Sequence, residues 1–144
     1  MANTSQDKAI SRDLQKHFLG TVKIALQYLK FHGPKEEHLD LDHVSHLEKV
    51  FKQDCARLDP GNYVPAIIDP AEFDMLVQKS GTRKHLLKLL HQEPPRLPIQ
   101  NNTSLLCLHG RHRIAAAWNV LFLEDRWWCA DLYSSGLFTA FIYG

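Results

Sequence analysis

The chain has 144 residues and a formal net charge of +1, and 44% of its residues are hydrophobic. This length suits one domain that buries roughly 70% of the surface its unfolded form exposes, so no disulfide or metal is needed to hold a core. With a net charge so close to zero, the chain as a whole is not strongly attracted to nucleic acid or to an anionic membrane.

The cysteines and the hydropathy of the chain indicate the compartment in which the protein is expected. The 3 cysteines show no paired spacing, which is typical of a reducing compartment. The first 20 residues contain no apolar stretch of the kind found in secretory leaders. No apolar run approaches the ~20 residues that a membrane helix needs. We therefore expect an intracellular protein, cytoplasmic or nuclear, that does not associate with membranes.

The first part of the chain predicts an arm, a strand and a helix. Residues 1–20 are polar and predict a flexible N-terminal arm. Alternating apolar residues predict a strand over Thr21–Ile24, followed by a single turn over Ala25–Leu29. Asp42 is placed to cap a helix that extends through Phe51, because apolar residues recur after it at helical spacing.

The middle of the chain predicts a strand and two more helices. An apolar run predicts a strand over Tyr63–Ile68, in which Pro65 favours an edge position or the strand's start. Pro70 is typical of the first residue of a helix. Leucines and basic residues over Thr82–His91 predict a short basic amphipathic helix. That helix offers a surface for nucleic acid or an acidic protein, although such a pattern more often places leucines on the core and lysines in water.

The last part of the chain predicts a strand, a helix and a final strand. Leu105–Leu108 is continuously apolar and predicts a centrally buried strand. The helix after Gly110 carries Trp118 on its apolar face, and Trp127–Tyr133 predicts the last strand. The order of elements predicts an α/β (α+β) domain over residues 21–133, with a small mixed sheet flanked by helices. Residues 134–144 form an unassigned tail.

The turn Gly110-Arg111-His112-Arg113 carries the main functional prediction. Backbone N–H groups at a helix start lack partners and carry partial positive charge, so phosphates bind there. Arg111 and Arg113 would hold phosphate oxygens in bidentate fashion, and His112 would donate a hydrogen bond or shuttle a proton. The alternative is an exposed helix start whose charges are solvated. Arg57 is expected to reach the same anion, or to pair with Asp54 or Asp59.

Histidine spacing offers a second, weaker hypothesis. His43 and His46 lie at i and i+3 on a predicted helix, a spacing that a metal site can use. Two histidines alone are more often part of a solvated polar face, and no His-Glu-x-x-His pattern occurs. We therefore predict no metal ligands in this chain.

The glycine turn and its flanking elements resemble the ParB/sulfiredoxin superfamily. A strand, Gly-x-(His/Arg)-Arg, an alanine-rich helix and a strand follow one another at that superfamily's phosphate-binding box, with which Gly110–Ala116 aligns. The chain is also similar to an uncharacterised domain family of filamentous fungi, whose members recur as cargo of giant mobile elements. Four blocks within about residues 21–133 carry this similarity: Arg57-Leu58-Asp59-Pro60, Val64-Pro65-Ala66, Leu108-His109-Gly110-Arg111-His112-Arg113 and Trp127-Trp128-x-x-Asp131-Leu132-Tyr133.

The resemblance implies a compact α/β fold with a nucleotide or phosphate site at the turn. Relatives use this site for a CTP-driven switch on DNA, for ATP-dependent phosphorylation of a sulfinic acid, or for phosphorylation of free serine. Arg111 occupies the position where the sulfiredoxin type needs a cysteine, so sulfiredoxin chemistry is not expected. The ParB type continues into a helix-turn-helix module for DNA, which does not follow Tyr133. Family members extend well beyond this point, and the resemblance therefore predicts a fragment or an altered end.

The leading hypothesis is therefore a ParB/sulfiredoxin-like domain that binds a nucleotide or another phosphate at Gly110–Arg113. A triphosphate ligand would bring Mg²⁺. Whether the domain acts as a nucleotide hydrolase or phosphotransferase stays open at this point. The first alternative is a non-catalytic, DNA-associated or protein-interaction module of a mobile-element protein. The second is a fragment that binds no ligand.

Overall fold

The computed structural model describes residues 14–32, 39–89, 92–100, 102–103 and 105–136 of the chain. The elements that position the site are five strands and three α-helices, joined in part by short 3₁₀ turns. In chain order they are β1 (Phe18–Ala25), β2 (Lys30–Phe31), α1 (Leu41–Gln53), β3 (Val64–Ile68), α2 (Pro70–Ser80), β4 (Leu105–Cys107), α3 (Arg111–Val120) and β5 (Trp127–Ser134).

All five strands form one mixed sheet in the order β1-β5-β3-β4-β2. Strand β5 pairs antiparallel with β1 and parallel with β3. Strand β4 pairs antiparallel with β3 and parallel with β2. The predicted α/β class, with a small mixed sheet flanked by helices, is confirmed.

The core lies between the sheet and its helices. Alternate residues of β5, among them Trp128 and Leu132, are fully buried and pack with Phe73 of α2. Helix α3 buries Ile114, Ala116 and Ala117, and its small alanines let the helix backbone approach the sheet closely. Each large apolar side chain buried in this way stabilises the fold by about 1.5–3 kcal/mol. Within the described residues, no helix combines the length and apolar character needed to cross a bilayer.

Helices α1 and α3 pack side by side and run parallel. Near their starts, the rings of His43 and His112 lie 5.1 Å apart. Further along both helices, the Asn119 side-chain amide donates to the Glu48 carboxylate over 3.0 Å. Because both contacts advance in the same direction along the chain, the two N-termini lie at the same end of the molecule.

The start of α2 agrees with the sequence prediction, whereas the cap of α1 is a different residue from the one predicted. Pro70 is the first residue of α2, as predicted, and Asp69 caps that helix by accepting from the Ala71 N–H. For α1, the predicted cap Asp42 is wrong. Asp40 is the cap and accepts from the N–H groups of Asp42 and His43, so the helix starts earlier than the sequence indicates.

Pro65 does not mark an edge or the first residue of a strand. Strand β3 lies between β5 and β4, and Pro65 is its second residue. Its carbonyl accepts from the Leu108 N–H over 2.9 Å, and pairing with β4 begins only at Ala66. The N–H that proline lacks is therefore outside the β3–β4 ladder, and a central strand tolerates it.

Other expectations were wrong in extent. Strand β1 covers Phe18–Ala25 and is longer than the predicted Thr21–Ile24, and the sequence analysis missed β2. The basic helix predicted over Thr82–His91 is a 3₁₀ turn over Lys84–Lys88. Residues 1–13 of the predicted arm and 137–144 of the predicted tail lie outside the described residues.

Candidate functional site

The turn before α3 has a geometry that only glycine fits. Gly110 is the residue before the helix and has a φ of +101°, in the left-handed region. A Cβ added there would lie 2.6 Å from Cγ1 of Val64 on β3. The turn is thus pressed against the start of β3, and no other residue type fits there without a shift of Val64.

The start of α3 has no side-chain cap. Gly110 has no side chain to cap the helix, and within the described residues no side chain accepts from the first N–H groups of α3, which also lack intrahelical acceptors. The start of α1 lies beside it, because the backbone N–H of Asp40 donates to Nε2 of His112 over 2.9 Å. Two aligned helix dipoles therefore direct partial positive charge to one end of the molecule.

Arg111 joins the helix start to the end of β2. Its Nη2 donates to the His32 carbonyl over 2.5 Å, and its guanidinium lies 5.3 Å from the centroid of the Phe31 ring. The side chain is half-buried between these contacts. Arg111 is thus held at the predicted turn rather than extended into solvent.

His112 is an acceptor in this structure. Since a backbone N–H donates to its Nε2, the neutral ring carries its proton on Nδ1. Only Nδ1 of His112 is therefore left to donate a hydrogen bond to a ligand or to exchange a proton, as predicted for this residue. His43 contacts the ring of His112, and within the described residues no three His, Cys, Asp or Glu side chains converge as metal ligands.

Arg113 holds the loop that precedes β3. Its Nη1 donates to the Asn62 carbonyl over 3.0 Å, and the same carbonyl accepts from Nε1 of Trp128 over 2.8 Å. Partial burial of the guanidinium lowers the pKa of Arg113, yet an arginine stays protonated at physiological pH. Among the described residues, no carboxylate forms an ion pair with this partly desolvated charge.

Arg57 lies elsewhere than the prediction expects. Its Nη1 donates to the carbonyls of Asp125 and Trp127, over 2.6 Å and 3.3 Å. The guanidinium stacks 3.5 Å from the centroid of the Trp127 ring and lies 3.8 Å from the Asp125 carboxylate. Its ion-pair partner is therefore Asp125 rather than Asp54 or Asp59, and no described contact joins Arg57 to residues 110–113.

The comparisons with known proteins give one match. The family model described as the N-terminal domain of a protein of unknown function (DUF3723) matches residues 17–141. The chain belongs to this family. A search of the curated proteins and a search of the solved structures found no match. The resemblances to the ParB/sulfiredoxin superfamily and to the fungal mobile-element family stay predictions.

The predicted basic surface of this DUF3723 domain is smaller than expected. The Lys84 ammonium pairs with the Asp74 carboxylate over 2.6 Å, and Leu87 is buried against Gly20 of β1. A five-residue 3₁₀ turn also presents fewer side chains on one face than the predicted helix would. Nucleic-acid binding through this segment stays a prediction without a specific observation to favour it.

The sequence analysis missed a cleft at the other end of α3. This cavity of about 440 Å³ lies among the 3₁₀ turn after β1, the segment 96–99 and the end of α3. Trp118, expected on the apolar face, is 43% exposed and lines the cleft together with Arg96 and Arg126. These residues come from separate stretches of the chain, so no local spacing could have indicated the site.

Proposed function

We propose that this DUF3723 domain binds a phosphate group, in a nucleotide or a related anion, at the shared N-terminal end of α1 and α3. The observation that carries the proposal is the half-buried Arg113 guanidinium beside an uncapped helix start. A partly desolvated positive charge without a carboxylate partner is unfavourable unless an anion joins it. The parallel α1 adds a second positive dipole end at the same place.

The structure suggests a role for each residue in this proposal. Gly110 lets the backbone approach the anion, and the first N–H groups of α3 donate to it. Arg113 uses one guanidinium N–H on the Asn62 carbonyl, and a guanidinium has five N–H donors. Arg111 holds the opposite side of the turn. A triphosphate ligand would carry Mg²⁺ on its phosphates, and hydrolysis or phosphoryl transfer with His112 as acid–base group stays a prediction.

The nearby carboxylate does not neutralise the site. The Asp40 Oδ1 accepts from two N–H groups at the start of α1, over 3.1 Å and 3.3 Å. This carboxylate therefore offsets the dipole of α1, and Asp42 in the first turn of α1 adds a second negative charge there. Within the described residues, neither carboxylate pairs with the Arg113 guanidinium. The start of α3 and its Arg113 therefore remain the part of this end to which an anion is proposed to bind.

Thermal unfolding with added anions tests the proposal. Inorganic phosphate, pyrophosphate, ATP, CTP and GTP, with and without Mg²⁺, are added to the protein, and affinities are measured by calorimetry. A ligand at about 100 times its Kd raises the free energy of unfolding by about 2.7 kcal/mol. We expect at least one of these phosphates to raise the melting temperature.

A matched pair of charge reversals locates the effect. Arg111→Glu places a negative charge at the turn, whereas Arg83→Glu makes the same change at an exposed residue on another surface. Arg111→Glu should abolish the stabilisation by inorganic phosphate and pyrophosphate, and Arg83→Glu should preserve it. Equal ligand effects in both variants, or no response of the unmodified protein to any phosphate, would contradict the proposal.

A further inference from the structure

The cleft at the C-terminal end of α3 has walls that are fixed by backbone hydrogen bonds. Lys23 of β1 accepts from the Leu97 N–H over 3.0 Å and donates to the Pro95 carbonyl over 2.8 Å. The Leu26 N–H donates to the Arg126 carbonyl over 2.9 Å, which joins the turn after β1 to the segment that follows α3. The cleft is therefore formed before any ligand arrives, which lowers the entropic cost of binding.

The side chains in this cleft combine flat aromatic surface with positive charge. Trp118 is 43% exposed, and the Arg126 guanidinium lies 4.8 Å from the centroid of its ring. Arg126 Nε donates to the Leu121 carbonyl over 3.2 Å, and its Nη atoms make no hydrogen bond or ion pair within the described residues. Arg96 is exposed and pairs with β1 through its backbone. Within the described residues its guanidinium makes no hydrogen bond or ion pair, so it is available to a ligand.

The surrounding residues complete a site of ordinary ligand size. Tyr28 and Gln27 line one side, and Leu123, which is 80% exposed, lines another. A volume of about 440 Å³ falls within the range of small-molecule sites. The neighbouring Asp125 carboxylate lies 3.8 Å from Nη2 of Arg57, so it is directed to another arginine.

We propose that this cleft binds a planar aromatic ligand that carries a negative group, with a base-plus-phosphate unit as its best-matched chemistry. The Trp118 ring stacks on the planar part, and Arg96 and Arg126 bind the negative group. Stacking and charge together select such a unit over an apolar molecule or a bare anion. This site is independent of the proposed phosphate site, because the two lie at opposite ends of α3.

Tryptophan fluorescence reports on this cleft directly. The other two tryptophans do not line the cleft, since Trp128 is fully buried and the half-buried Trp127 ring contacts the cations of Lys23 and Arg57. We expect AMP to quench the emission saturably, while adenosine and inorganic phosphate bind at least about tenfold more weakly. Trp118→Phe should remove most of the quenching while calorimetry still detects AMP.

Variants of the two arginines test the ligand class. Arg96→Gln and Arg126→Gln should each weaken AMP binding by about tenfold. Arg83→Gln changes an exposed arginine that does not line the cleft and should leave AMP binding unchanged. Arg96 is exposed, so its variant is expected to fold even if Arg126→Gln does not. Arg111→Glu should leave the quenching unchanged, which separates this site from the proposed function.

A single-stranded oligothymidylate distinguishes the two sources of the ligand. If the oligonucleotide binds much more tightly than AMP, with an affinity that falls steeply with salt, the cleft takes a unit of a nucleic-acid strand. If AMP binds as tightly as the oligonucleotide, it takes a free nucleotide. Both results support the proposal. It is overturned if neither probe binds, or if Trp118→Leu and Arg96→Gln bind AMP as the unmodified protein does.

Discussion

The two ends of helix α3 differ in how their polar side chains are used. At the N-terminal end, Arg111, His112 and Arg113 each bind the backbone of a different loop, at His32, Asp40 and Asn62. At the C-terminal end, Arg126 stacks on a partly exposed tryptophan beside an open cleft. The Gly110–Arg113 motif thus lies at the end where its side chains also stabilise the fold. The cleft around Trp118 lies at the other end, where the sequence shows no motif.

This contrast shows that one residue can serve both stability and binding. A guanidinium that donates one hydrogen bond to a carbonyl keeps further N–H groups for a ligand. Its substitution then changes the stability of the fold and the affinity together. Variants at the N-terminal end must therefore be judged against matched variants at positions with similar local geometry.

Replacing glycine at the N-terminal end should give the largest loss of stability. Gly110→Ala combines a left-handed backbone with a Cβ that meets Val64 at 2.6 Å, and we expect it to lower the free energy of unfolding by about 2–5 kcal/mol. Gly81→Ala is the control, because Gly81 has a φ of +75° with nothing within 4 Å of the added Cβ. It should cost only about 1 kcal/mol in urea unfolding. Equal losses would show that the turn is not pressed on β3.

The same substitution at a buried and at an exposed tryptophan should give the next largest difference. Trp128→Phe removes the donor to the Asn62 carbonyl and leaves space in a fully buried site, so we expect a loss of about 2–4 kcal/mol. Trp118→Phe changes a residue that is 43% exposed and should stay within about 0.5 kcal/mol of the unmodified protein. Chemical denaturation measures both. A loss at Trp118 as large as that at Trp128 would mean that the cleft is part of the core.

What the sequence could predict depended on how local each feature is. Pro70 at a helix start, the last strand and the helix after Gly110 are set by neighbouring residues, and all three are found. The last strand, predicted over Trp127–Tyr133, covers Trp127–Ser134. Strand β2 is only Lys30–Phe31 and exists through its pairing with β4, far along the chain, so its own residues carry no strand signal. Pro65 is tolerated in a central strand because of where β4 ends.

The candidate site likewise has a part that is local in sequence and a part that depends on tertiary contacts. The glycine turn and its cations form one short stretch, so the sequence could indicate them. The loops that these cations bind, and the placement of Arg57 on Trp127, depend on tertiary contacts between distant segments. The cleft around Trp118 depends wholly on such contacts, since three separated stretches form its walls.

Thiol labelling should give the smallest effect, and it tests whether the N-terminal end of α3 opens. Cys107 ends β4 just before the turn, and burial raises its pKa to about 12. At pH 8 only about one Cys107 thiol in ten thousand is then the reactive thiolate, and labelling should accelerate by about tenfold for each pH unit. Cys55, which is half-buried, should react first with a thiol reagent. In a Cys55→Ser variant, fast labelling of Cys107 at pH 8 would contradict a closed turn, whereas protection until urea unfolds the protein would confirm that this end stays packed.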